Sequence, residues 1–218
     1  MWWLGLVAVL AAAHTRFVVP RLPAPGQTPP DQLPDYQRLS RWPEAALVAT
    51  VALVAWLIVQ PAGLGSQLMW LAYLGGGTSL IHVDWRTTFL PRWLHYLVAA
   101  QLLAAVLLAS WESPQLGLAA AAGSAVAIAC LWLVWRLSGS LGFGDVRLAS
   151  LTGALGGTMG LTGWLWSLFL GTLIGALLAI WHSLRRRRHE LPSYFAYGPA
   201  LWLGPIVASW LLRQHLIS

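Results

Sequence analysis

Gly142-Phe143-Gly144-Asp145-Val146-Arg147-Leu148 lies between two long apolar stretches and sets a carboxylate where a membrane-spanning chain ordinarily carries none. An ionisable group at such a depth is costly and rare, which makes it a functional-site candidate by default. A second acid, Asp84, closes another apolar stretch in the same manner. Two acids held at the ends of membrane helices are the chemical requirement of an aspartyl dyad. The bland competitor is that Asp145 merely caps the helix it opens, a favoured use of aspartate.

Working outward from that heptad, composition sets the class. Of 218 residues 58% are hydrophobic and 9% charged, with a mean hydropathy of +0.65, against roughly a quarter charged in soluble domains. This is the composition of an all-α, polytopic membrane helix bundle. The template of roughly 17 to 25 apolar residues per crossing places about eight transmembrane helices, near 2 to 19, 45 to 62, 64 to 83, 94 to 110, 116 to 136, 146 to 160, 162 to 183 and 194 to 212. The sixth carries Gly153, Gly156, Gly157 and Gly160 and reads as a short or broken helix, or as a small-residue packing surface of the kind membrane helices use, as do Gly171 and Gly175. The first lacks a basic region ahead of it and reads as a retained helix rather than a cleaved signal. Residues 1–218 form one membrane-embedded domain, with a Pro-rich linker at 20–43 that includes Gln27-Thr28-Pro29-Pro30.

All thirteen basic residues are arginines, and the net charge is +6. With the N-terminus outside, only Arg213 falls on the outer side, whereas the inverted arrangement breaks the positive-inside rule. Asp84 then ends the third span going inward and Asp145 begins the sixth going outward. Although 61 residues apart, they reach the cytoplasmic face at similar depth. The Arg185-Arg186-Arg187-Arg188-His189 tract reads as an anchor to anionic lipid; no folded basic surface accompanies it, so nucleic acid is not an expected partner. Trp2, Trp3, Trp70, Trp111, Trp164 and Trp166 are expected at the outer interface and Trp42, Trp85, Trp93, Trp135 and Trp181 at the inner one.

Cys130 stands alone, so a disulfide framework or four-cysteine zinc site is not available. His14, His182, His189 and His215 show no metal-ligand spacing, and no metal or organic cofactor is expected. His82 and His95, near the two acids, read as structural histidines.

The two acidic blocks resemble those of a known family. Gly142-Phe143-Gly144-Asp145-Val146-Arg147-Leu148 resembles the GxGD signature of prepilin peptidases, the type IV leader peptidases. Asp84-Trp85-Arg86-Thr87-Thr88-Phe89-Leu90-Pro91 resembles that family's other aspartate block, with the same order and spacing. Phe195 to Gly204 is similar to its last helix, and Arg21-Leu22-Pro23 to the segment after its first. Arg147 replaces the family's usual lysine, and Arg92 stands where an acidic or amide residue is common. The zinc-bearing cysteine pairs of bifunctional members are missing and the 20–43 loop is short, which speaks against N-methyltransferase activity.

The resemblance implies a membrane aspartyl endopeptidase that removes the short basic leader of type IV pilin-like precursors at the cytoplasmic side of a prokaryotic plasma membrane. Asp84 and Asp145 are the implied catalytic residues; Gly142, Gly144, Arg147, Leu90 and Pro91 bind substrate or shape its loops. Another GxGD protease, or a transporter passing ions or protons over the paired acids, are the alternative readings. The helix dipole favours the anion on Asp145, at a helix start, over Asp84, at a helix end, by about 0.3 to 1 kcal/mol; on that ground Asp145 is the expected initial base. Gly142 and Gly144 are expected to permit a sharp turn and close approach of the peptide. Asp31, Asp35, Glu44 and Glu190 are acids able to attract a basic leader. Oligomeric state is not legible in the chain.

Overall fold

The computed structural model describes residues 2–25, 33–138, 141–186 and 195–217. Gln27 to Pro30, Asp31, Arg187 to Glu190 and His189 among the residues discussed above lie outside these. The described residues are all-α: α1 (Trp2–Ala13), α2 (Tyr36–Leu39), α3 (Trp42–Val59), α4 (Leu64–Thr87), α5 (Arg92–Glu112), α6 (Pro114–Ser138), α7 (Phe143–Thr158), α8 (Gly160–Arg186) and α9 (Gly198–Ile217). A π turn (His14–Val18) and a 3-10 turn (Val19–Arg21) extend α1. Among the described residues, five helical stretches are long and apolar enough to cross a membrane: Trp2–Arg21, Trp42–Val59, Arg92–Trp111, Pro114–Ser138 and Gly160–Arg185.

Helices α4, α7 and α9 fall outside that set for a physical reason. They pack against one another in the interior of the bundle, and the apolar helices pack around them. From Met69 to Asp84 nearly every residue of α4 is buried, as is most of α7. A helix enclosed by protein needs small, close-packing residues more than a lipid-soluble surface. The glycines of α7 meet this need. A Cβ at Gly157 would lie 3.2 Å from the Gly123 Cα of α6, and one at Gly156 would lie 3.1 Å from the Ser167 Oγ of α8. The Trp164 indole of α8 donates to the Gly123 carbonyl at 2.9 Å, tying α6 to α8 across α7. The sixth apolar segment is therefore one unbroken helix, ended by Gly160 at φ +77°, where glycine is favoured.

Buried polar side chains fasten the other side. Thr15 and Ser79 share a 3.0 Å hydroxyl pair between α1 and α4, and Ser79 donates to the Ala11 carbonyl. The His14 Nδ1 contacts the Leu10 carbonyl at 2.7 Å and its Nε2 contacts the Gln101 amide nitrogen at 2.9 Å, so Nδ1 carries the proton and Gln101 donates to Nε2. On α9, the Trp202 carbonyl accepts from the Tyr73 hydroxyl at 3.0 Å, and the two rings stack.

Tryptophans at helix ends are exposed as interface anchors require: Trp2, Trp42, Trp85, Trp93, Trp111, Trp166 and Trp181. Trp70 departs from the expected outer belt, since it is only 3% exposed and meets the Tyr73 ring edge-on in the core. The linker also holds more structure than its composition suggests. Asp35 caps α2 by accepting from the Arg38 N–H at 2.9 Å, and Tyr36 and Leu39 are buried.

Replacing Gly157 by leucine forces α6 and α7 apart and is expected to lower stability by about 3 kcal/mol, the upper end for overpacking. Gly5→Leu, at a position with nothing within 4 Å of a new Cβ, is expected to leave it unchanged. Thermal unfolding of the two variants in detergent compares them directly.

Candidate active site

The end of α4, the 88–91 loop, the start of α7 and the 195–197 segment ahead of α9 open onto one cleft of about 2080 Å³. Thr88 ends α4 in the left-handed conformation, at φ 59°, with its N–H bonded to the Asp84 carbonyl at 2.6 Å. Phe89, Leu90 and Pro91 then reverse the chain, and Pro91 precedes the first turn of α5. On the other wall Gly142 precedes α7, in the extended conformation with φ −73° and ψ 143°.

All seven site residues expected from the sequence line this cleft: Asp84, Leu90, Pro91, Gly142, Gly144, Asp145 and Arg147. The two acids thus border the same cleft from different helices, α4 and α7. Asp84 is 3% and Asp145 7% exposed, so each carboxyl borders the cleft while protein covers most of it. Each also has one backbone donor. The Asp145 Oδ2 accepts from the Gly142 N–H at 3.2 Å, and the Asp84 Oδ2 from the Gly198 N–H at 3.0 Å.

The second of these bonds corrects the helix-dipole expectation. Gly198 is the first residue of α9, so Asp84 faces a helix N-terminus just as Asp145 does. The dipole difference that selected Asp145 as base is thereby removed. Asp145 is at once a capping residue, reaching back to the N–H ahead of its helix, and a wall of the cleft; the two readings of it are compatible.

The glycines also differ from expectation in their reason. Neither Gly142 nor Gly144 has a positive φ, so backbone freedom is not what they supply. A Cβ on Gly144 would stand 2.9 Å from the Leu90 Cβ, and one on Gly142 would stand 3.2 Å from the Asp145 Oδ2. Gly144 lets the start of α7 close onto the 88–91 loop; Gly142 leaves room for the carboxylate. Arg147 completes that closure by donating from Nη2 to the Leu90 carbonyl at 3.2 Å.

At the rim, Arg86 donates from Nη2 to both Glu44 oxygens at 3.1 and 3.0 Å. The His82 Nε2 is 3.1 Å from Glu44 Oε2, in ion-pair range though misaligned for a hydrogen bond. Asp35 and Glu44 both line the cleft, yet one is spent on a helix cap and the other on Arg86. Four arginines, Arg38, Arg86, Arg92 and Arg147, border the same space. His82 and His95 are buried and do not line the cleft, and His82 Nε2 and His95 Nδ1 have no hydrogen-bond partner among the described residues, so the hydrogen-bonded structural histidine expected from the sequence is not what is found.

Tyr197 and Gly198 were not singled out from the sequence, although the stretch containing them was. Tyr197 lines the cleft, and Gly198 holds Asp84 across 114 residues. The readable signal is Tyr197-Gly198-Pro199 itself, because proline just inside a helix start marks an N-terminus, whose free N–H groups can serve a carboxylate. Neither a family model, nor a curated protein, nor a solved structure matches this chain.

Gly144→Ala is expected to cost about 1 to 2 kcal/mol through its contact with Leu90. Leu90→Gly in the same chain removes the Leu90 Cβ that lies 2.9 Å from the new methyl and is expected to relieve that contact, so the double variant unfolds above the sum of the two single losses. Thermal melts of the three variants provide the cycle.

Proposed function

We propose that this protein is a membrane aspartyl endopeptidase of the prepilin peptidase kind, cutting the leader from type IV pilin-like precursors. The observation that carries the reading is the convergence of Asp84 and Asp145, from helices far apart in the chain, on one cleft. The resemblance of both aspartate blocks, including Leu90-Pro91, supports the same assignment.

The chemistry follows from the pair. Two neighbouring enclosed carboxyls share one proton more readily than they both ionise. The carboxylate takes a proton from water as the oxygen attacks the scissile carbonyl carbon, while the carboxylic acid gives its proton to the carbonyl oxygen. In the tetrahedral intermediate the roles reverse. The newly protonated acid delivers a proton to the departing amine, the other carboxyl takes back a hydroxyl proton, and the C–N bond breaks. No metal or organic cofactor enters these steps.

Within this proposal the eight long helices each cross the bilayer, α1 entering from the outside, so that the 20–43 segment and the cleft lie on the cytoplasmic side of a prokaryotic plasma membrane. Arginine placement supports this orientation. Crossing of α4, α7 and α9 rests on their enclosure by the other helices rather than on their own hydropathy. The substrate is a short basic leader joined to an apolar helix, with the scissile bond after a glycine.

Co-expression with a pilin-like precursor tests the reading through the product's mass. The native chain is expected to remove the leader, and Asp84→Asn and Asp145→Asn each to slow removal by at least about a hundredfold. An intact precursor in the presence of native protein sinks the proposal, as does cleavage that survives either substitution. Proton or ion flux into vesicles containing a chain that cleaves nothing would instead establish the transporter.

A further inference from the structure

Tyr197 is placed to act on Asp84 without reacting itself. Its carbonyl accepts from the Ala200 and Leu201 N–H groups at 3.1 and 3.4 Å, making it the backbone cap of α9. Its neighbour Gly198 donates to Asp84. Its ring borders the cleft, meets Phe195 edge-on, and lies against Gly175 of α8, where a Cβ would overlap the ring atoms. Gly175 is therefore a slot, unlike Gly171 on the same helix, whose Cβ would meet the Leu201 backbone at 3.2 Å. A Cβ on Gly198 would in turn stand 2.5 Å from the Asp84 Oδ2. Little slack is left between the ring seat and the carboxylate.

Resting on the peptidase reading, we propose that Tyr197 is a positioning residue, whose ring, seated in the Gly175 slot, aims the Gly198 N–H and thereby sets Asp84 against Asp145. The ring is a wedge between α8 and the start of α9. The N–H bond passes its position to the carboxylate, and an error of about an ångström in such a group costs on the order of a hundredfold in rate. The phenol hydroxyl has no part in this role, which separates it from an acid or a hydrogen-bond donor to substrate.

The inference is tested with the full chain in detergent or proteoliposomes on a pilin-like precursor. Tyr197→Ala is expected to lower kcat about 30- to 100-fold with KM within about threefold, whereas Tyr197→Phe keeps the ring and stays within about threefold of the native kcat. Gly175→Ala is expected to be damaging with Tyr197 present and nearly silent on top of Tyr197→Ala, because its effect passes through the ring. The carboxyl band of Asp84, found by infrared difference against Asp84→Asn, is expected to move in Gly175→Ala and Tyr197→Ala and not in Tyr197→Phe. That band needs no substrate, so it remains readable if the native protein cleaves nothing and the peptidase reading fails. A Tyr197→Phe variant as impaired as Tyr197→Ala, additive effects of Gly175→Ala and Tyr197→Ala, or an unmoved Asp84 band would each overturn the positioning role.

Discussion

An acidic side chain within an apolar bundle has to be enclosed by protein and given a donor, and this constraint organises the molecule. Facing lipid, a carboxylate costs several kcal/mol; facing a helix N-terminus across a protein-lined cleft, it costs less. Asp84 and Asp145 each receive one backbone N–H from a glycine, at the starts of α9 and α7 respectively. Both donors belong to helices packed inside the bundle. The same need for closeness explains the small residues along α7, which bring α6 and α8 near enough to shield it.

Much of the architecture was legible because hydropathy and glycine placement report on it directly. Each of the eight apolar segments coincides with a helix to within several residues, and the Gly153 to Gly157 region is the packing surface that small residues predict. The boundaries missed most were polar ones: α4 runs on to Thr87 and α9 to Ile217, because a helix continues past the end of an apolar run when the polar residues there are partnered or solvated, as Arg213 is by Gln60. Trp70 shows the opposite limit. Its place near a helix start suggested an interface, but which face of α4 it occupies is decided by Tyr73 and the neighbouring helices.

At the site, residue identity was legible and the reason for it often was not. The seven expected residues meet at one cleft, yet Gly144 is small for Leu90 rather than for a turn. Asp84 looked disfavoured as an anion because only its own helix end was visible in the chain; the compensating donor comes from Gly198, 114 positions later. Tertiary partners of that kind leave no local pattern. The Glu44 and Arg86 pairing is similar, since neither residue signals the other across 42 positions.

The central position of α7 also bears on how the protein is made. A segment of sixteen residues that carries Asp145 and Arg147 near its start is too short and too charged to partition well into lipid by itself. Its retention has to come from α6, already synthesised and closely matched to its glycine face, and from α8 arriving next. The ribosome thus delivers the three as a dependent series, and the Asp145 carboxylate enters its place as cargo of its neighbours.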